Sequence, residues 1–217
     1  GEFIAVAERS GAMRDIGRWV TSEACRMATP WFRRESGGLE WISVNVSPAQ
    51  LADPALIDDV RAALGSSGLP PHQLVLELTE SGLMASPERA RTFLSAVRAL
   101  GVRVAVDDFG TGTSSLSNLE QFPIDILKVD TTLVKSATAR GELSAVARTI
   151  LDLSRNLHVL AIAEGIESAE QAQTFMERAC RLGQGFLFAR PMPPEDFEAF
   201  IRTHAAAGVD VSLIGSA

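Results

Sequence analysis

Six times between residues 41 and 189, a short run rich in β-branched residues ends in a polar or acidic residue and gives way to a loop and a helical pattern. The runs cover 41–47, 74–80, 102–108, 125–130, 158–165 and 184–189, and the helical patterns fall at about 54–65, 86–100, 114–121, 138–156, 168–179 and 194–206. Alternation at this spacing predicts parallel strands joined by crossover helices. Pro54, Pro87 and Pro194 sit where a first helical turn tolerates proline. Ahead of the alternation, apolar residues at helical spacing between Phe3 and Met27, interrupted near Ser10 and Gly11, predict two consecutive helices. Trp19 and Trp31 read as core or interface aromatics, and 30–40 as a polar connection containing Gly37 and Gly38.

An open doubly wound sheet and a closed barrel share this alternation. What separates them is that nearly every run ends in a potential ligand: Asn45, Glu77 with Glu80, Asp107 with Asp108, Lys128 with Asp130, Glu164 with Glu167, and Gln184. In an open sheet only strands near the switch point meet a ligand, whereas a barrel brings all its C-terminal strand ends to one mouth. A modified (β/α) barrel is therefore expected. Six strands fall short of the eight such a barrel needs, so its first two strands are expected to be absent from this chain.

The chemistry concentrates in VAVDDFGTGTSSLSNL, residues 104–119. A strand delivers two adjacent carboxylates, Asp107 and Asp108, to its own end, and a glycine-rich loop with hydroxyls follows. Isolated, such a pair reads as a solvated turn. Here Asn45 and Glu77 lie inside apolar runs, and a carboxylate there is costly unless paired or metal-bound. One lysine cannot neutralise several carboxylates, so a hard divalent ion with oxygen ligands balances the sum. Ile126, Lys128 and Asp130 share one face of their strand, either as an ion pair that stabilises the interior or as an ammonium that serves a phosphoryl group. Glu164 suits a metal ligand or a general base. His72, His158 and His204 read as bystanders.

Composition narrows the classes. The 217 residues carry a formal charge of -7 with scattered basic residues, which argues against an extended DNA footprint. Among 20 cations only Lys128 and Lys135 are lysines. No apolar run reaches about 18 residues, so no membrane insertion is expected. Cys25 and Cys180 lack metal-ligand spacing and read as reduced, packed thiols of a soluble cytoplasmic domain.

SVNVSPAQL, LELTES, VAVDDFGTG, ILKVD, AIAEGIES and QGFLFARPMP, in this order and spacing, resemble the EAL family of cyclic di-GMP phosphodiesterases across essentially the whole chain, 1–217. The resemblance implies a modified TIM barrel that binds two Mg²⁺ or Mn²⁺ ions and hydrolyses cyclic di-GMP to linear pGpG. It implies Asn45, Glu77, Asp107, Asp108 and Glu164 as metal ligands, with Lys128, Asp130 and Glu164 as the catalytic set. It further implies Glu80 and Glu167 as anchors of the loop after Asp108, with Gln184, Gly110 and Thr111 lining the substrate site. A homodimer and an upstream diguanylate cyclase or sensor domain, which could carry a membrane anchor, belong to the same expectation. Thr113 replaces the family's loop aromatic, Arg181 replaces an acidic residue, and the Glu-Ala-Leu motif, whose glutamate is a family metal ligand, is not in the sequence. Two other readings stand beside this one: a non-catalytic cyclic di-GMP receptor or scaffold, and a Lys- and Mg²⁺-dependent barrel enzyme abstracting a proton.

Overall fold

The computed structural model describes residues 6–7, 9–32, 39–110, 121–138 and 142–206. Its strands are β1 (Ile42–Val46), β2 (Leu74–Thr79), β3 (Arg103–Phe109), β4 (Ile126–Val129), β5 (Leu160–Glu164) and β6 (Leu182–Gln184). They form one sheet in chain order, and every neighbouring pair is parallel. A doubly wound sheet reverses its strand order at a switch point, and this one does not. The architecture is an α/β half-barrel of the TIM type, with no pairing between β1 and β6 among the described residues.

The helices are α1 (Met13–Phe32), α2 (Pro48–Leu51), α3 (Leu56–Ser67), α4 (Glu80–Ala85), α5 (Pro87–Ala99), α6 (Thr131–Thr138), α7 (Ala145–Leu157), α8 (Ala169–Met176) and α9 (Pro194–Ala206). Because strand side chains alternate between faces, the sheet splits its residues cleanly. Val44, Leu76, Val104, Val106, Leu127 and Val129 point outward into the main core, where they meet Val60, Leu94, Val97 and Leu151 of the helices. Trp41, Val75, Ala105, Ile126 and Ile162 make a smaller apolar cluster on the other, inner face. One step further along each strand, that inner face becomes polar.

Several boundaries differ from expectation. Helix α1 runs through Pro30 to Phe32 instead of ending before it, because Trp31 packs edge-to-face on Phe197 of α9 with centroids 5.0 Å apart, and this contact offsets the lost backbone bond. Trp19, expected as a core or interface aromatic, lies exposed on α1, which excludes the core reading. Pro54 precedes α3 in a turn rather than sitting within its first helical turn. Strand β6 occupies 182–184, ahead of most of the expected run, and its chain then turns at Gly185. A Cβ at Gly185 would stand 2.2 Å from the Ile166 carbonyl oxygen, so only glycine permits the turn, and Leu187 N–H closes it onto that carbonyl. Helices α2, α4 and α6 lie outside the expected patterns; Thr79 Oγ1 accepts from Gly82 N–H to start α4. The helix expected over 138–156 begins only at Ala145, where Ser144 caps it. His158 ends α7 in a left-handed conformation instead of opening a strand. The helix expected over 114–121 lies outside the described residues but for Gln121, as do Thr111, Thr113 and 207–217.

Both cysteines are buried, and burial pushes each thiol up to about 11, which makes them inert packing groups at neutral pH. Among the described residues no helix is long and apolar enough to cross a membrane.

Candidate functional site

The polar layer of the inner face is built by register. Asn45 pairs with Glu77 across β1 and β2, and Glu164 with Gln184 across β5 and β6. Lys128 stands two residues beyond Ile126 on β4, so it points to the same side as the apolar floor. The residue is 1% exposed, and its ammonium is the centre of the site. Nζ donates to Glu77 Oε2 at 2.7 Å, and lies 2.7 Å from Glu164 Oε1 and 3.2 Å from Asp107 Oδ1. Four strands thus meet at one cation.

Three carboxylates around one ammonium leave the cluster negative, and the titration behaviour follows. Burial opposes the charge on Lys128, but Glu77, Glu164 and Asp107 outweigh it and hold the ammonium above the ordinary lysine range. Burial is likewise the largest influence on Glu164 and pushes its carboxyl up to about 7; Lys128 pulls it down, while Asp107 and Glu77 push it up. The Glu164 carboxyl is thereby disposed to hold a proton near neutral pH. A bound cation would take the place of that proton.

Adjacent strand residues normally face opposite sides, yet Asp107 and Asp108 both reach this site. The β3–β4 register passes from Val106↔Leu127 to Phe109↔Val129, so three steps on β3 span two on β4. That extra residue is a β-bulge, and Asp108 takes a left-handed φ of 53° within it. As a result Asp107, Asp108 and Glu164 each offer an oxygen, all within 4.8 Å of one another. Burial raises the Asp108 carboxyl above its usual range, and the neighbouring Asp107 and Asp130 add to the rise against Lys128. Two buried oxygens, Glu77 Oε1 and Gln184 Oε1, have no hydrogen-bond partner among the described residues. Buried acceptors without donors, beside convergent carboxylate oxygens, form a donor set suited to a hard divalent cation.

The remaining expected residues divide. Glu80, at the start of α4 and buried, accepts from Gly110 N–H at 3.0 Å, which pins the first residue of the glycine-rich loop. Gly110 also lies so close to Ile150 and Leu133 that a Cβ would meet them at 2.6 and 2.9 Å. Glu167 is half-exposed and sits 3.4 Å from Lys135. Asp130 accepts from Thr132 N–H at 2.7 Å, so part of its capacity goes to starting α6. Asn45 is exposed at the end of β1, beside Glu77. Sequence reading missed Gly165 and Thr131: the chain leaves Glu164 through a left-handed Gly165 whose absent Cβ makes room for the Thr131 side chain 2.5 Å away. A glycine directly after a strand-ending glutamate was the available signal.

The EAL domain family model matches residues 1–191. The chain belongs to the EAL domain family. Among its relatives, this EAL domain is 40% identical over 201 residues to the signaling protein YkoW of Bacillus subtilis, covering 93% of this chain and 25% of that protein. It is 38% identical over 202 residues to the bifunctional diguanylate cyclase/cyclic di-GMP phosphodiesterase MucR of Pseudomonas aeruginosa, covering 93% of this chain and 29% of that one. The EAL domain thus spans well under half of these relatives. Its fold is similar to the solved MucR phosphodiesterase in complex with c-di-GMP, with a TM-score of 0.84 and 37% identity over 91% of this chain and 79% of that one. It is also similar to BlrP1 of Klebsiella pneumoniae in a manganese and c-di-GMP complex, with a TM-score of 0.71 and 28% identity over 82% and 44% of the two chains.

Proposed function

We propose that this EAL domain hydrolyses cyclic di-GMP, opening one phosphodiester to give linear pGpG, with two Mg²⁺ or Mn²⁺ ions held at the mouth of the half-barrel. The observation that carries the reading is the bulge that turns Asp107 and Asp108 to the side where Lys128 gathers Glu77 and Glu164. A scaffold or a passive receptor has no physical need for a buried ammonium ringed by carboxylates, which is costly to fold. Likeness to enzymes named for this substrate supports the choice of cyclic di-GMP.

Asn45, Glu77, Asp107, Asp108 and Glu164 would hold the ions, and the unpartnered Glu77 Oε1 fits that role. When bound, the ions supply the charge that polarises the phosphodiester and acidifies the attacking water. Lys128 holds three carboxylates in a fixed geometry, and its positive charge would stabilise negative charge developing on the phosphoryl group. Glu164 would serve as an ion ligand or as the base that takes the water's proton, while Asp130 would orient that water through the capacity its helix contact leaves. Glu80 would anchor the glycine-rich segment at Gly110, whose N–H donates to its carboxylate. Gln184 would line the substrate site beside Glu164.

A homodimer and a cytoplasmic setting form part of the same proposal, as does an appended diguanylate cyclase or sensor domain, which relatives named for those functions support. The test is chromatographic. Cyclic di-GMP is incubated with saturating Mn²⁺ and the 217-residue chain, alone and preceded by a family Glu-Ala-Leu segment. Formation of pGpG that Asp107→Asn abolishes supports the reading, and absence of pGpG from both samples overturns it.

A further inference from the structure

The site depends on register. A one-residue slip of a strand moves all its side chains to the opposite face, and a slip of β4 would take Lys128 out of the carboxylate cluster and into the main core. Strand β4 has only four residues, and the bulge on β3 interrupts its pairing just above Val106 and Leu127. Something below the bulge must hold the alignment.

Asp125, immediately before β4, bonds to both neighbouring strands. Its N–H donates to Val104 O at 2.9 Å, and its carbonyl accepts from Leu160 N–H at 2.9 Å. Its side chain then turns back, and Oδ2 accepts from Val104 N–H at 2.8 Å. Asp125 therefore closes on both polar groups of one β3 residue while its carbonyl fixes β5. Val104 is fully buried, and loss of that carboxylate would remove the acceptor that aligns its amide with Asp125. Asp125 itself lies exposed at the opposite end of the strands from Lys128, with Arg103 as the neighbouring cation.

We infer that Asp125 is a positioning residue that locks the register of β3, β4 and β5, and so brings Asp107, Lys128 and Glu164 to one point. The inference rests on the functional reading above only for its consequence in turnover. An asparagine keeps an oxygen acceptor for Val104 N–H, whereas an alanine does not, so Asp125→Asn retains the lock and Asp125→Ala releases it.

The experiment uses the 217-residue chain labelled with ¹⁵N at lysine Nζ. With two lysines, Lys128 buried and Lys135 largely exposed, the ammonium spectrum contains one slowly exchanging signal, from Lys128. Asp125→Ala is expected to shift or abolish that signal while circular dichroism still reports a folded chain, and to weaken Mn²⁺ binding about tenfold or more. Asp125→Asn is expected to leave both near wild type. Where turnover is measurable, kcat falls in the alanine variant with little change in KM. Should Asp125→Ala unfold, Asp125→Ser takes its place, since the shorter hydroxyl cannot span the same distance to Val104. An unchanged Lys128 signal in a folded alanine or serine variant overturns the inference, as does a signal lost equally in the asparagine variant. The ammonium spectrum needs neither metal nor substrate. If the wild-type chain shows the signal but neither it nor its Glu-Ala-Leu-extended form gives pGpG, the functional reading is refuted and the register lock is still tested separately.

Discussion

Two layers of the inner face, one alternation apart on the same strands, behave in opposite ways. The floor of Trp41, Val75, Ala105, Ile126 and Ile162 is buried and apolar. The layer above it, with Glu77, Asp107, Lys128 and Glu164, crowds three carboxylates onto one ammonium and leaves buried oxygens without donors. The same backbone supports both, so the contrast comes from side-chain chemistry. The floor contributes stability through burial, and the upper layer is tolerated because the floor and the outer core hold its strands. Stability and binding are thus separated by about one residue pair along each strand.

The largest effect should come from removing the upper layer's cation. Lys128→Met leaves Glu77 buried beside two other carboxylates, and is expected to destabilise the metal-free chain by about 3–5 kcal/mol in urea titrations. A floor truncation, Ile126→Ala, should cost a comparable amount of about 2–5 kcal/mol. The two differ in metal response: the floor variant should keep its Mn²⁺-induced rise in melting temperature, and a floor variant without it would dissolve the distinction between layers.

Next in size is the loss of one ligand. Asp107→Asn is expected to weaken Mn²⁺ binding by on the order of 100-fold, while the metal-free chain becomes no less stable because a like charge has been removed. Thermal shifts with and without Mn²⁺ measure both. Identical midpoints for wild type and variant in both conditions would show that Asp107 is not part of a metal site.

A smaller effect is carried by pH. In the folded metal-free chain, the Glu164 carboxyl lies at about 7 against an ordinary 4.5, so the folded state binds this proton more tightly than the unfolded chain. Its contribution is fully present below about 4.5 and is lost as pH rises through about 7. Denaturation midpoints should fall across that window, and Glu164→Gln should flatten the fall. An equally steep decline in the glutamine variant would assign it to another group.

The smallest effect belongs to the rim of the floor. Leu160 is 45% exposed, so Leu160→Ser should change stability by less than about 1 kcal/mol and leave Mn²⁺ binding alone. A larger loss, read in the same urea titration, would mean that the floor extends further than the buried cluster.

Much of this is legible in the sequence. Strand positions, parallel pairing and the polar strand ends all follow from local alternation, and the aspartate pair, Lys128 and Glu164 announce themselves by charge inside apolar runs. The errors have local causes. Reading Asp130 purely for chemistry hid its second use as the cap that starts α6, and Thr79 hid α4 in the same way. The apolar run GFLFA resembled a strand, but Gly185 turns against the Ile166 backbone, a contact 19 residues away in sequence that no local pattern encodes.

The sequence by itself determined which residues alternate, where the charges lie along each strand, and membership of the EAL family, because these depend on the order of side chains alone. Tertiary structure decided which charges meet. The bulge that turns Asp108, the convergence of Glu77, Asp107 and Glu164 on Lys128, and the bonds of Asp125 to β3 and β5 all depend on register between strands distant in the chain. Register is set by packing both faces of the sheet at once, and a single strand's sequence carries only its own half of each pairing.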